Sequence, residues 1–198
     1  MYHSLREAAG GAKTLNWLDL DALCRSYLQL FAKTAILERI YYFSAFAGWR
    51  KKADATVVDR HKVYIAALGS KGVVIQMGRF KTKDVWCKNC KQNHKAHEEK
   101  ETDVAIGAKL LELFVTNACD LAVLVCGDTD IVPAVTTAQR LFPGKRVVCA
   151  FPFNRANAEL QQLCPGSFKV SAKQYARHRF PNPVALPDGT KLQKPVGW

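Results

Sequence analysis

Three features of the sequence predict an α/β fold of three layers built on a parallel sheet. Short apolar runs alternate with helix-periodic stretches along most of the chain, the order in which helices cover both faces of a sheet. The strongest run, residues 121–132 (LAVLVCGDTDIV), stops at Gly127 and is followed at once by Asp128 and Asp130. An apolar run of that kind reads as a buried, central strand of a parallel sheet, and the residues past its carboxyl end stand where such sheets place their ligands. Finally, 198 residues of which 48% are hydrophobic make one domain, or one domain with an appendage, with enough apolar surface for a core.

Taken in order, residues 1–7 (MYHSLRE) are helix-like from the first residue, and Gly10 and Gly11 break them. Leu18, Leu20, Leu23, Tyr27, Leu28 and Leu30 recur as one face of a helix over about residues 19–31. Residues 36–46, rich in Ile, Tyr and Phe, read as a strand, and Arg50, Lys51 and Lys52 mark the polar turn behind it. A second helix is expected over 53–68, with Val57, Val58, His61, Ile65 and Leu68 inward, and an apolar strand over 72–77. A polar insert over 78–100 follows; eight Lys and Arg lie between Lys71 and Lys100.

Residues 102–118 form a long helix, with Thr102 placed to cap it and Asp103 in its first turn. Val104, Ile106, Leu110, Leu111, Leu113 and Phe114 make its buried side. After the 121–127 strand, Pro133 suits the first turn of a helix whose Val135, Ala138, Leu141 and Phe142 face the core. A strand over 146–151, a short helix over 156–163 and an edge strand over 168–170 complete the alternation. The tail from Pro181 holds four of the eight prolines and is expected to be extended. The expected division is a domain over 1–180, carrying the insert, and a tail over 181–198.

Composition narrows the partner. A formal charge of +12 points to a polyanion, and the absence of a basic amphipathic helix favours nucleic acid over a membrane surface. No apolar run reaches the length of a membrane span, and residues 1–30 lack a signal peptide's hydrophobic core. The seven cysteines are odd in number and scattered, several within apolar runs, a cytosolic pattern rather than a disulfide framework.

Two acidic stretches carry the candidate chemistry. Asp128 and Asp130 on a strand-to-helix turn repel each other unless a cation sits between them. Residues 98–103 (EEKETD) open the long helix, where acids also stabilise the helix dipole by a few tenths of a kcal/mol. Together, EEKETDVAIGAKLLEL, the strand ending GDTDIVPAV, the strand in PGKRVVCAFP and the closing KPVGW resemble the NYN branch of the PIN-like nuclease superfamily over most of the chain.

The resemblance implies a PIN-like three-layer fold and RNA phosphodiester hydrolysis dependent on Mg²⁺ or Mn²⁺. Asp103, Asp128 and Asp130 would be the catalytic, metal-holding carboxylates. Hard divalent cations favour oxygen ligands, and on a phosphodiester they neutralise charge and activate water. Thr129 between the acids would orient a water or a carboxylate, and Lys100 and Arg155 would contact the RNA backbone. The resemblance also implies a first strand ending in Asp-Gly-x-Asn ahead of a Leu-Tyr-x-Ser-Leu-like helix, with Met1 where that Leu falls. That strand is absent here, so the expectation is a slot between the 36–43 and 121–127 strands. RNA binding without cleavage is the alternative function.

The insert carries VWCKNCK at 85–91. Its WCxxC matches a thioredoxin-like redox motif, but QNHKAHEEKE after it lacks the apolar periodicity of the helix such a motif requires. Cys87, Cys90, His94 and His97 instead offer four N/S donors for Zn²⁺, although two residues between the histidines is a short spacing. A basic loop with incidental thiols that grips RNA is the other reading. A haloacid-dehalogenase-type phosphatase would explain GDTD but needs an upstream DxDxT, which the chain does not contain.

Overall fold

Two parallel sheets carry the fold in the computed structural model, which describes residues 2–11 and 15–198. In one, β1 (Tyr41–Ser44) pairs with β2 (Val74–Met77). In the other, β6 (Arg146–Phe151) lies between β5 (Leu121–Leu124) and β7 (Phe168–Lys169). The fold is mixed α/β with parallel sheets, as the alternation predicts. Met1, which begins the expected first helix, lies outside the described residues; α1 covers Tyr2–Ala8.

The doubly buried strand is β6, not β5. Val147, Cys149 and Phe151 face one core and Ala150 faces the other, the period-two alternation of a strand covered on both sides. Cores lie on both faces because helices pack there. On one side stand α4 (Thr102–Val115), α5 (Val132–Leu141) and α6 (Ala158–Leu163), through Leu110, Phe114, Val135, Ala138 and Leu160. On the other stand α3 (Val57–Gly69) and α7 (Ala172–Arg177), through Tyr64, Leu68 and Tyr175. β5 is a sheet edge with Val123 38% exposed, because among the described residues only β6 pairs with it. Among the described residues β1 pairs only with β2, so β1 and β5 each leave one edge unpaired. Unpaired backbone on both edges is the geometry expected where the two sheets do not join.

Several elements are shorter than their apolar patterns. The 19–31 helix is α2 (Leu20–Arg25) followed by a 3₁₀ turn at Leu28–Leu30. Ser26 ends α2, its hydroxyl donating to the Leu23 carbonyl at 2.7 Å. Of the 36–46 run only Tyr41–Ser44 pairs, and a 3₁₀ turn at Gly48–Lys52 delays α3 to Val57. Val104, expected inward on α4, is 77% exposed, and Leu141 on α5 is exposed too. Glu101, not Thr102, stands at the cap of α4 with φ 76°, and Thr102 is the first helical residue.

The 78–100 insert is not a loop. β3 (Arg79–Cys87) and β4 (Gln92–Lys100) form an antiparallel hairpin in register from Arg79 opposite Lys100 to Cys87 opposite Gln92. Lys91, at φ 51°, closes its tip by donating its N–H to the Cys87 carbonyl at 2.9 Å. The alternation sorts the side chains. Lys81, Lys83, Val85, Cys87, His94 and Glu98 share one face, and Phe80, Thr82, Trp86, His97 and Glu99 share the other.

The C-terminal segment is sewn to the N-terminal one. Leu18 bridges Arg179, the Phe180 N–H donates to the Trp17 carbonyl at 2.9 Å, and Trp17 Nε1 donates to the Pro181 carbonyl at 3.0 Å. Residues 181–198 are extended and include a small hairpin, β8 (Val184–Ala185) with β9 (Lys191–Leu192). Buried Val184 and half-buried Leu192 and Trp198 join the core around Trp17 and Tyr64.

Candidate functional site

The acids come together because α4 lies close to the turn after β5. At Gly107 an added Cβ would stand 2.8 Å from Ala134 Cβ and 3.9 Å from Ile131 Cδ1, so only a glycine permits this approach of α4 to α5. Asp103 is four residues before Gly107 and therefore on the same face of the helix, directed toward residues 128–131. Past β5, Asp128 begins a 3₁₀ turn at Thr129–Ile131, its carboxylate accepting the Asp130 N–H at 3.2 Å. Buried Ile131 pins that turn to the core, and Pro133 opens α5 behind it. Gly127 is pinned from the other side: an added Cβ would lie 2.0 Å from the Arg155 carbonyl oxygen.

Asp103, Asp128 and Asp130 are exposed, and Thr129 is half-buried between the latter two. The Asp103 carboxyl is pushed above its ordinary range by partial burial first, then by Asp128, Asp130 and Glu99. Glu99 is a fourth acid of this group. It sits on the inward face of the hairpin and accepts the Thr102 hydroxyl at 2.6 Å. Its neighbour Glu98 is on the opposite face, where Lys100 and Lys83 draw its carboxyl down to about 2. Reading 98–103 as one acidic helix entry missed this sorting; strand alternation through 92–100 was the signal that separates the two.

Among the described residues no Lys, Arg or His pairs with Asp103, Asp128, Asp130 or Glu99 within 4 Å, although the chain carries 29 Lys and Arg. Lys100, expected at the substrate, pairs with Glu98 at 2.7 Å on the far face of the hairpin. Arg155 pairs with Glu7 of α1 at 2.7 Å.

Burial and mutual repulsion together have a stability signature at Asp103. A raised folded-state pKa means folded Asp103 holds its proton more tightly than the unfolded chain does. Stability therefore falls as pH rises from the ordinary aspartate range through the raised value, and the penalty persists above it. Exchanging Asp103 for Asn removes that penalty. At pH 7 without divalent cations the variant should melt up to about 2–4 °C higher, the worth of roughly 1 kcal/mol for exposed charges in a chain of this size. Below about pH 4 the two melting curves should converge. A variant less stable than the wild type at pH 7 would contradict the clustering.

The second donor set is at the hairpin tip. Cys87, Cys90 and His94 bring one donor atom each to within 4.8 Å of one another, and Cys90 Sγ lies 2.9 Å from His94 Nε2. His97 does not join them. Three residues along a strand reverses the face, so His97 instead meets Thr82 Oγ1 at 2.9 Å and stacks on Trp49, centroids 4.5 Å apart and planes 7° from parallel. Trp49 also contacts Phe80 edge-on at 6.2 Å and lies under the Arg50 guanidinium at 5.9 Å. This aromatic stripe is on the face of the hairpin that carries Glu99.

Among the described residues no helix is long and apolar enough to cross a membrane. No curated protein and no solved structure matches the chain. The family model for the NYN domain matches residues 7–171, a span that runs from α1 to the residue before α7 and takes in both acidic stretches and the hairpin. The chain belongs to the NYN domain family of the PIN-like superfamily, a nuclease-like family whose members act on nucleic acid and whose nucleases are generally dependent on divalent metal ions.

Proposed function

We propose that the protein is a ribonuclease dependent on Mg²⁺ or Mn²⁺, with Asp103, Asp128 and Asp130 as its metal-holding carboxylates and Glu99 beside them. The observation that carries this reading is the uncompensated charge: four carboxylates gather and, among the described residues, none has a Lys, Arg or His partner within 4 Å, in a chain of net charge +12. The donor set fits a hard divalent cation, since it is all oxygen and its charges add to burial in raising the pKa of Asp103. Such a cation, when bound, supplies charge neutralisation at the phosphate and activation of the attacking water.

The chain's own residues do the positioning. Asp128 is held by the Asp130 N–H and Asp103 by the approach of α4 at Gly107, so the acids come from two elements fixed by the core. Thr129, half-buried and between the two acids in sequence, is suited to orient a water or a carboxylate. His97, Phe80 and the 57% exposed Trp86 of the hairpin, with Trp49 packed against the first two, form a face on which unpaired bases can stack on the way to the acids. Arg50 beside Trp49 and the exposed Lys95 on the aromatic face of the hairpin supply phosphate contacts.

Affinity for single-stranded RNA should therefore fall steeply with salt through counterion release. Trp86→Ala should weaken it by about 5- to 150-fold, the roughly 1–3 kcal/mol of one base–aromatic stack. Because Trp86 is exposed, its melting temperature should scarcely change. Fluorescence anisotropy with a short labelled RNA in EDTA reads both effects. Salt-independent binding, or full affinity in the variant, removes the hairpin from the substrate path. The whole reading is tested by RNA cleavage with Mg²⁺ or Mn²⁺ against EDTA; binding without cleavage under every divalent cation would leave a non-catalytic RNA-binding domain.

A further inference from the structure

We infer that the tip of the β3–β4 hairpin is a separate zinc site, in which Cys87, Cys90 and His94 hold Zn²⁺ and solvent takes the fourth position. The three donor atoms already lie within 4.8 Å of one another. Ligands of a tetrahedral Zn²⁺, at about 2.3 Å for sulfur and 2.0–2.1 Å for nitrogen, stand roughly 3.5–3.8 Å apart. The contact between Cys90 Sγ and His94 Nε2, at 2.9 Å, therefore has to open by only about half an ångström.

The hairpin explains why these three and no others converge. Cys87 is the last residue of β3, and His94 is the third of β4 and opposite Val85, so the two share a face. Cys90 is in the connecting loop, and the bond from the Lys91 N–H to the Cys87 carbonyl folds that loop back over Cys87. All three side chains are at least partly accessible, which leaves a path for the ion.

Binding converts two thiols to thiolates, releases two protons, and forms two Zn–S bonds and one Zn–N bond. Soft sulfur donors separate this site from the all-oxygen cluster, so one chain sorts zinc to the hairpin and a hard cation to the acids. The ion also cross-links the two strands at the tip, tying Cys87 of β3 to His94 of β4. A two-stranded hairpin is marginal by itself, and this one carries Phe80, Trp86 and His97.

The test is a Co²⁺ titration of the full, reduced chain followed by absorbance. A near-ultraviolet thiolate-to-cobalt band should appear with visible d–d bands, saturate at one Co²⁺ per chain and vanish on adding Zn²⁺. Cys87→Ser and Cys90→Ser should lose the thiolate band, His94→Ala should weaken binding strongly, and His97→Ala should bind as the wild type does. Circular dichroism shows whether each variant is folded, and the pair His94→Ala and His97→Ala decides the question if a cysteine variant is not. No thiolate band in the wild type overturns the inference, as does a band that survives Cys87→Ser or is lost equally in His97→Ala. Since absorbance is read without RNA or turnover, the result stands apart from the outcome of the nuclease assay.

Discussion

Exchanging Asp128 for Asn should abolish metal-dependent RNA cleavage and leave the fold intact. Asn keeps the volume of Asp and can still accept the Asp130 N–H, so the 3₁₀ turn at Thr129–Ile131 retains its cap. What is lost is one of the negative charges that hold the cation. Charge stabilisation by a catalytic metal is worth several kcal/mol, so cleavage should fall by about a thousandfold or more. The melting temperature in EDTA should stay level or rise slightly, because one repulsive charge is gone. Cleavage at the wild-type rate would remove Asp128 from the mechanism.

Gly127→Ala should have the largest effect on stability of any single methyl added near the site. Its Cβ would stand 2.0 Å from the Arg155 carbonyl oxygen and 3.0 Å from the carbonyl carbon, so backbone must move rather than a side-chain tip. The Arg155 segment has little room to yield. Its N–H is bonded to the Pro152 carbonyl at 2.9 Å, and Asn154 holds a left-handed φ of 57° in the same turn. Overpacking of this kind costs about 3 kcal/mol, or roughly 6–12 °C of Tm for a domain of this length. Any relief through movement of residue 127 carries Asp128 with it, so cleavage should fall as well. Thermal melting checks the first effect; an unchanged Tm would show that the strap of residues 152–155 is not fixed against the end of β5.

What the sequence disclosed follows from what each element depends on. The strand at Arg146–Phe151 was legible to the residue, because a strand buried on both faces must be a continuous apolar run and VVCAF is one. The run at 121–127 has the same look, yet β5 is an edge: strand order is decided by neighbours that local pattern does not name. The helices were legible by period but too long in their ends, since Val104 and Leu141 fit the period and still face solvent. The hairpin was hidden because QNHKAHEEK has little strand propensity and is held by pairing with β3. That one omission explains why His97 was grouped with the cysteines and why Glu99 was not singled out. Each turns on which face of a strand a residue occupies.

The turn after β5 was the most informative stretch, because Gly127, the two acids and Pro133 each answer a separate local demand. Close approach by Arg155, a capped turn and the start of α5 all fall within seven residues. Asp103 joined the candidate site by family resemblance, whereas its physical route there is Gly107, a glycine in mid-helix that no periodicity argument singles out.

The central claim, that a divalent cation is held among Asp103, Asp128 and Asp130, is tested most directly by iron-mapped scission. Fe²⁺ is substituted for Mg²⁺ in the full chain, and ascorbate with peroxide generates hydroxyl radicals wherever the iron is bound. Backbone cuts are expected beside residues 103 and 128–130, suppressed by excess Mg²⁺ and absent from Asp128→Asn. Cuts confined to residues 87–94, or a pattern unchanged in Asp128→Asn, would contradict that claim.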